Sequence, residues 1–203
     1  MKTINIINYL NELYPNPTCE LIYNKDYELL IAIMLSAQTK DKAVNNVTKI
    51  LFNKYKTIEE LNNSNIEDLN SILKPIGNQN KKSIYIKEIS KYITKNGIPN
   101  NLEELEKIKG IGRKTATLFL GIIYNKQYIP IDTHIKRISK RLKLVNENDN
   151  IKTIETKLTN YFKNENLIKI HLQLVLFGRY KCKAKNPDCI NCKLKKICKK
   201  ETI

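Results

Sequence analysis

The chain has 203 residues, 41% of them hydrophobic, which is enough apolar material for one sizeable core or two smaller ones sharing an interface. Lysine and arginine outnumber aspartate and glutamate 36 to 20, a formal net charge of +16. That excess disfavours basic partners and favours a polyanion, nucleic acid first and an anionic membrane surface second. Part of it also reflects a general abundance of Ile, Lys and Asn, as AT-rich coding produces. No window approaches the roughly 18 consecutive apolar residues of a spanning helix. The start Met1-Lys2-Thr3-Ile4-Asn5-Ile6 leads into a short amphipathic stretch without a signal-peptide core, so the expectation is a soluble intracellular protein.

Apolar residues recur with a period near 3.6 throughout and never alternate for long with a period of two, so the fold class is all-α. Tyr27 to Leu35 and Ala43 to Phe52 are the first strong segments, the second preceded by Asp41 as a helix start. Thr57-Ile58-Glu59-Glu60 and Ser64-Asn65-Ile66-Glu67 each read as a capping box, and Pro99-Asn100-Asn101 announces a helix at Leu102. Asn62-Asn63-Ser64-Asn65 reads as a loop between two helices. Further helices are predicted over 80–96, 113–124, 133–142, 151–163 and 166–177, about ten in all. No internal repeat is evident. After Gly178 apolar periodicity stops and Lys and Cys take over, which predicts a separate structural unit for the tail.

Leu105-Glu106-Lys107-Ile108-Lys109-Gly110-Ile111-Gly112 reads as a short helix, a tight turn with two glycines, and a second helix opening near Arg113. Gly110 and Gly112 allow close backbone approach to a ligand, and the exposed amides of the second helix's first turn can hold a phosphate. Two glycines in a helix connection are weak evidence alone. Lys114, however, lies in that first turn, where the helix dipole and Arg113, Lys107 and Lys109 all disfavour another positive charge. An ordinary amine, with a pKa of about 10.4, is protonated at neutral pH, so a nucleophilic lysine requires such a setting. Pro130-Ile131-Asp132-Thr133-His134 then places an acid at the start of the next helix. Asp132 is either an ordinary N-cap or a partner that moves the lysine's proton. His134 reads as a helix-surface or packing residue.

Cys182, Cys189, Cys192 and Cys198 follow the spacing C-x6-C-x2-C-x5-C, four soft thiolates within 17 residues. A segment with so few apolar side chains requires a metal as its core. Four thiolates suit a tetrahedral zinc or an iron–sulfur cubane; only Cys189 and Cys192 form the close pair that zinc sites usually present twice, so the spacing leans towards a cluster. Cys19, far away, reads as a buried apolar residue. Lys183, Lys185 and neighbouring basic residues make the tail either a phosphate-contacting loop or a solvated charged face.

Four segments in order resemble the endonuclease III family of helix-hairpin-helix DNA glycosylases. They are Leu30-Ile31-Ala32-Ile33-Met34-Leu35-Ser36-Ala37-Gln38, Gly110-Ile111-Gly112-Arg113-Lys114-Thr115-Ala116, Ile131-Asp132-Thr133-His134, and Gly178-Arg179-Tyr180-Lys181-Cys182 with the three later cysteines. The resemblance implies a six-helix barrel over 19–126 and a second domain in which 1–18 packs with 127–203 around a [4Fe–4S] cluster. It implies that Lys114 attacks the sugar carbon of a damaged nucleoside, that Asp132 assists, and that Gln38 fills the gap left by the extruded nucleotide. Asn78 stands where relatives commonly carry an apolar wedge that enters the base stack. Lys109 replaces a usual proline, and Gln173 and Phe177 stand where relatives often carry Trp and His.

The reading implied is a bifunctional DNA glycosylase and abasic-site lyase of base excision repair, removing oxidised pyrimidines through a Lys114 Schiff base and cutting by β-elimination. Its partner is double-stranded DNA holding a damaged base or abasic site, with no membrane involved and a monomer sufficient. A cytoplasmic location, associated with the nucleoid through DNA, follows. The rivals are a monofunctional adenine or mismatch glycosylase of the same superfamily, which generally lacks the lysine, and a non-catalytic DNA-binding module stabilised by zinc.

Overall fold

The structure, a computed structural model, describes residues 2–199, with Met1 and residues 200–203, including the tail's Lys200, outside the described part. Among the described residues there is no strand, and no helix is long and apolar enough to cross a membrane. The chain divides into two compact units, a mid-chain unit Cys19–Tyr124 and a terminal unit in which Met1–Thr18 joins Asn125–Ile203. Asn125 and Lys126 thus go with the termini.

The mid-chain unit is built around α2 (Asp26–Leu35), which is buried on every face from Tyr27 to Leu35. A helix that is apolar all round must be enclosed, and α2 packs against α3 (Asp41–Lys54), α6 (Gln79–Asn96) and α8 (Arg113–Tyr124). The Glu28 carboxylate holds its entry, accepting from the amides of Asn24 at 2.7 Å and Lys25 at 3.3 Å. Helix α4 (Ile58–Asn63) starts as its sequence predicts, with Thr57 Oγ1 accepting from the Glu60 amide at 3.2 Å.

The second predicted capping box shifts by one residue. Ser64 terminates α4, its hydroxyl donating to the Leu61 carbonyl at 2.6 Å, and Asn65 caps α5 (Ile66–Leu73) by accepting from the Glu67 amide at 2.7 Å. Asn65 takes the cap because Ser64 is already committed to a carbonyl that the end of α4 leaves open. The expected asparagine loop therefore shrinks to two residues. Lys87, from α6, closes the same helix end by donating to the carbonyls of Asn62 and Ser64. Asn101 caps α7 (Leu102–Lys107), accepting from Glu104 at 2.9 Å.

In the terminal unit α1 (Lys2–Leu13), α9 (Thr133–Arg141), α10 (Ile151–Tyr161) and α11 (Leu167–Leu176) share one core, with Ile6, Leu10, Ile135, Leu158, Phe162 and Phe177 at its centre. The buried Gln173 ties α11 to α1, its amide nitrogen donating to Asn11 Oδ1 and the Tyr14 carbonyl, both at 2.9 Å. Phe177 meets the Tyr9 ring edge to face at 6.1 Å. The tail is not a separate unit. Leu194 is 2% exposed in this core, and Cys182, Cys192, Ile197 and Cys198 pack against it. One leucine and the thiols themselves supply the burial that the polar composition hides.

Candidate functional site

The glycine turn folds tightly because each residue has one job. Ile108 and Ile111 are buried and anchor it, while the Ile111 amide closes the turn by donating to the Ile108 carbonyl at 2.9 Å. Gly110 has φ +99°, a conformation that side chains rarely tolerate, and a Cβ there would stand 2.5 Å from Cγ of Tyr85 on α6. At Gly112 the space is open, with nothing within 4 Å of a built Cβ, and its carbonyl accepts from the Ala116 amide at 3.0 Å to open α8. The amides of that first turn have no intrahelical acceptor and face an approachable surface, the arrangement that receives a phosphate.

Arg113 and Lys114 are both exposed in that turn. Of the three cations expected to crowd Lys114, Lys107 is already balanced, its ammonium lying 2.6 Å from Glu104 and 3.5 Å from Glu103. Lys114 is therefore an accessible amine at a helix N-terminus.

Gln38 and Asn78 occupy two short loops and share an uncommon backbone, with φ +57° and +52°. Both are exposed, and among the described residues neither side chain is hydrogen-bonded. Their loops are joined by a residue that the sequence reading missed. Lys82, on the first turns of α6 and 5% exposed, donates to Thr39 Oγ1 at 2.9 Å and to the Ile76 carbonyl at 3.1 Å. Thr39 Oγ1 also lies 3.3 Å from the Ile76 carbonyl. Burial pushes the Lys82 amine below the ordinary lysine range. An N-terminal helical lysine on a polar stretch gives no sequence signal of burial.

Asp132 lies in the terminal unit and caps α9, its Oδ1 accepting from the Ile135 amide at 2.8 Å. Among the described residues Oδ2 accepts no hydrogen bond, so capping leaves one carboxylate oxygen for other work. His134 is a packing residue: a Cβ on Gly178 would stand 2.8 Å from the His134 Cβ, and Arg137 Nη2 lies 3.3 Å from Nδ1. Lys114 belongs to the mid-chain unit, so each of the two residues is placed here within its own unit.

All four tail cysteines line one pocket, together with Arg141, Leu142, Phe177 and Leu194. Cys19 is far from them in sequence and half-buried instead of fully enclosed. Among the described residues no three His, Cys, Asp or Glu side chains converge on the position of a single metal ion. The thiols surround a volume. Burial pushes the Cys192 thiol up, so its ionised form needs a compensating positive group.

Two arginines absent from the sequence reading organise the cavity's rim. Arg137 Nη2 donates to the carbonyls of Gly178 at 2.8 Å and Cys182 at 3.1 Å. Arg141 Nη1 donates to Cys182 Sγ at 3.2 Å, its carbonyl at 3.2 Å and the Lys183 carbonyl at 2.7 Å, and Nη2 reaches Ala184 at 3.2 Å. Their spacing of four residues, one helical turn, puts both on one face of α9 but does not distinguish them from a solvated basic pair. Two tail lysines are balanced: Lys193 pairs with Glu12 of α1 at 2.6 Å and Lys181 with Asp188 of the tail itself at 3.0 Å. Lys183 and Lys185 are exposed, and among the described residues neither is ion-paired.

A family model described as HhH-GPD superfamily base excision DNA repair protein matches residues 31–164. Endonuclease III of Haemophilus influenzae is 40% identical over 200 residues, covering 97% of this chain and 94% of the relative. Endonuclease III of Bacillus subtilis is 36% identical, covering 95% and 90%. A solved structure of a trapped endonuclease III–DNA covalent intermediate superposes with a TM-score of 0.92 at 34% identity, covering 98% of this chain and 96% of that one. Matched in sequence and fold along nearly its full length, this chain belongs to the endonuclease III family of the HhH-GPD superfamily of base excision DNA repair proteins.

Proposed function

We propose that the protein is a bifunctional DNA glycosylase and abasic-site lyase that removes oxidised pyrimidines from duplex DNA. The observation that carries this reading is the exposed Lys114 amine in the first turn of α8, directly after a tight glycine turn whose Gly112 faces open space. The similarity to an endonuclease III trapped covalently on DNA supports it. The glycine turn and the α8 amides hold a phosphate of the damaged strand; Arg113, Lys183 and Lys185 add neutralising charge. A lesion that stacks poorly costs less to extrude, which contributes to selection.

In the chemistry proposed, the Lys114 Nζ lone pair forms a bond to the sugar C1′ while the glycosidic electrons leave with the base. Asp132 takes the proton the amine must lose and stabilises the cationic sugar. Ring opening gives the C1′=N Schiff base; loss of a proton from C2′ then expels the 3′ phosphate and cuts the strand. A monofunctional glycosylase would not need an accessible amine at this position.

We assign the six-helix barrel domain expected over 19–126 to the mid-chain unit Cys19–Tyr124, and the cluster domain expected over 1–18 with 127–203 to the terminal unit, which also takes Asn125 and Lys126. The residues fit a [4Fe–4S] group held by Cys182, Cys189, Cys192 and Cys198, because all four thiols line a single pocket and such a cluster takes four cysteine ligands. Bound there, the cluster would supply a rigid core for the tail. Arg141 at Cys182 offsets thiolate charge, and the loop bearing Lys183 and Lys185 is held through the carbonyls of Lys183 and Ala184.

The test is borohydride trapping on a duplex carrying one thymine glycol. The parent should give a covalent adduct and a nicked strand, both lost in Lys114→Ala. Base release without an adduct would make the protein monofunctional, and binding without any chemistry would sink the enzymatic reading.

A further inference from the structure

We propose that Lys82 is a positioning residue for lesion recognition, holding the Gln38 and Asn78 loops at a fixed separation so that both side chains can enter the duplex together. This rests on the DNA-repair reading above. Lys82 is a buried cation whose hydrogen bonds run to neutral oxygens, Thr39 Oγ1 and the Ile76 carbonyl. It also lies in the opening turns of α6, where the helix dipole disfavours positive charge. Burial and dipole both count against it, so its contribution to folding is poor and a well-packed apolar side chain would serve stability as well.

What Lys82 does achieve is local order. Thr39 follows Gln38 directly, and Ile76 precedes Asn78 by two residues. Ser36 to Lys40 and Gly77 to Asn78 are short connections, and each carries one non-glycine residue in the left-handed region whose side chain is exposed and, among the described residues, not hydrogen-bonded. Such a residue persists only where its surroundings over-determine it. One ammonium bonded to both loops provides that constraint, and a single helix thereby registers both tips. A base stack is separated by a few ångströms, so two inserting side chains act together only if their spacing is set before contact. Lowering the entropy of two loops in advance is what preorganised recognition requires.

The test compares the full-length parent with Lys82→Met and Thr39→Val, which removes only a hydroxyl. A duplex carries an abasic site opposite 2-aminopurine, a base that brightens when unstacked. At saturating protein each variant should lower the brightening at least about threefold, and the double variant should be no worse than Thr39→Val, which alone removes both the bond to Lys82 and the direct bond to the Ile76 carbonyl. Affinity for an undamaged duplex should stay within about twofold, and the Tm of Lys82→Met within about 4 °C of the parent. Unchanged brightening in both variants, with normal brightening by the parent, would overturn the proposal alone. Loss in proportion to undamaged-duplex affinity would also overturn it, leaving a merely structural lysine. A parent that neither brightens nor cuts any damaged duplex would overturn the underlying reading, and this proposal with it.

Discussion

Gly110 lies against the Tyr85 ring so closely that an added Cβ would stand 2.5 Å from Cγ and 2.7 Å from Cβ of the tyrosine. Gly110→Ala therefore combines a left-handed backbone with a steric conflict and should cost about 2–4 kcal/mol of stability. Gly112→Ala meets open space at an ordinary φ and should cost less than about 1 kcal/mol, while on the proposed function it should still weaken DNA binding by placing a methyl where the phosphate would approach. Thermal melts beside duplex-binding titrations separate the two. Equal destabilisation by both changes would refute the division between a packing glycine and an approach glycine. Adding Tyr85→Ala to Gly110→Ala should recover the steric part only.

Asp132 can be a cap, a catalytic partner or both, and one pair of substitutions divides these roles. Asparagine caps helices as well as aspartate, so Asp132→Asn should melt like the parent; Asp132→Ala should lose about 1 kcal/mol with the bond to the Ile135 amide. If Oδ2 handles a proton, both variants should slow base release on a thymine glycol duplex by at least about 100-fold. Parent-like turnover by Asp132→Asn would reduce the residue to its capping role.

The helices and the glycine turn were legible because each rests on local rules, a 3.6-residue period and capping residues, and the close spacing of the four tail cysteines pointed to the one pocket that they line. The one-residue shift at Ser64 and Asn65 arose where two capping residues adjoin and the preceding helix claims the first. Lys82, Arg137 and Arg141 were not legible. In a chain with 36 basic residues, nothing local distinguishes a lysine turned inward to two loops, or arginines fanned over carbonyls some 40 residues later, from a solvated charge. The tail's attachment was hidden in the same way, since Leu194 is one apolar residue among lysines yet 2% exposed.

Arg141 serves four acceptors within one loop, including Cys182 Sγ. Arg141→Ala should release the carbonyls of Lys183 and Ala184 and leave Cys182 without its cation, so the purified variant should carry less iron and acid-labile sulfide per chain. Arg141→Lys should not restore them, since an ammonium cannot reproduce the planar fork. Full iron and sulfide in Arg141→Ala would show that the thiols alone hold the loop.

His134 gives the terminal unit an acid sensitivity whose direction follows from its surroundings. Burial lowers its pKa first; nearby Arg137 and Arg179 lower it further, while Asp132 and the bond with Gly178 act in the opposite sense without reversing the shift. The folded state therefore keeps the imidazole neutral at pH values where an unfolded histidine, with a pKa of 6.5, already binds a proton. Stability from this residue is fully present above pH 6.5, declines as pH falls through the window down to the depressed folded value, and changes no further below it. Gly178, seated against the ring, leaves little room for the charged form to turn towards water. Melts at pH 8 and pH 5 should show a larger loss for the parent than for His134→Asn, which cannot take up the proton. Titrations common to both proteins cancel in that comparison. An equal loss in the two would mean that the acid sensitivity originates elsewhere.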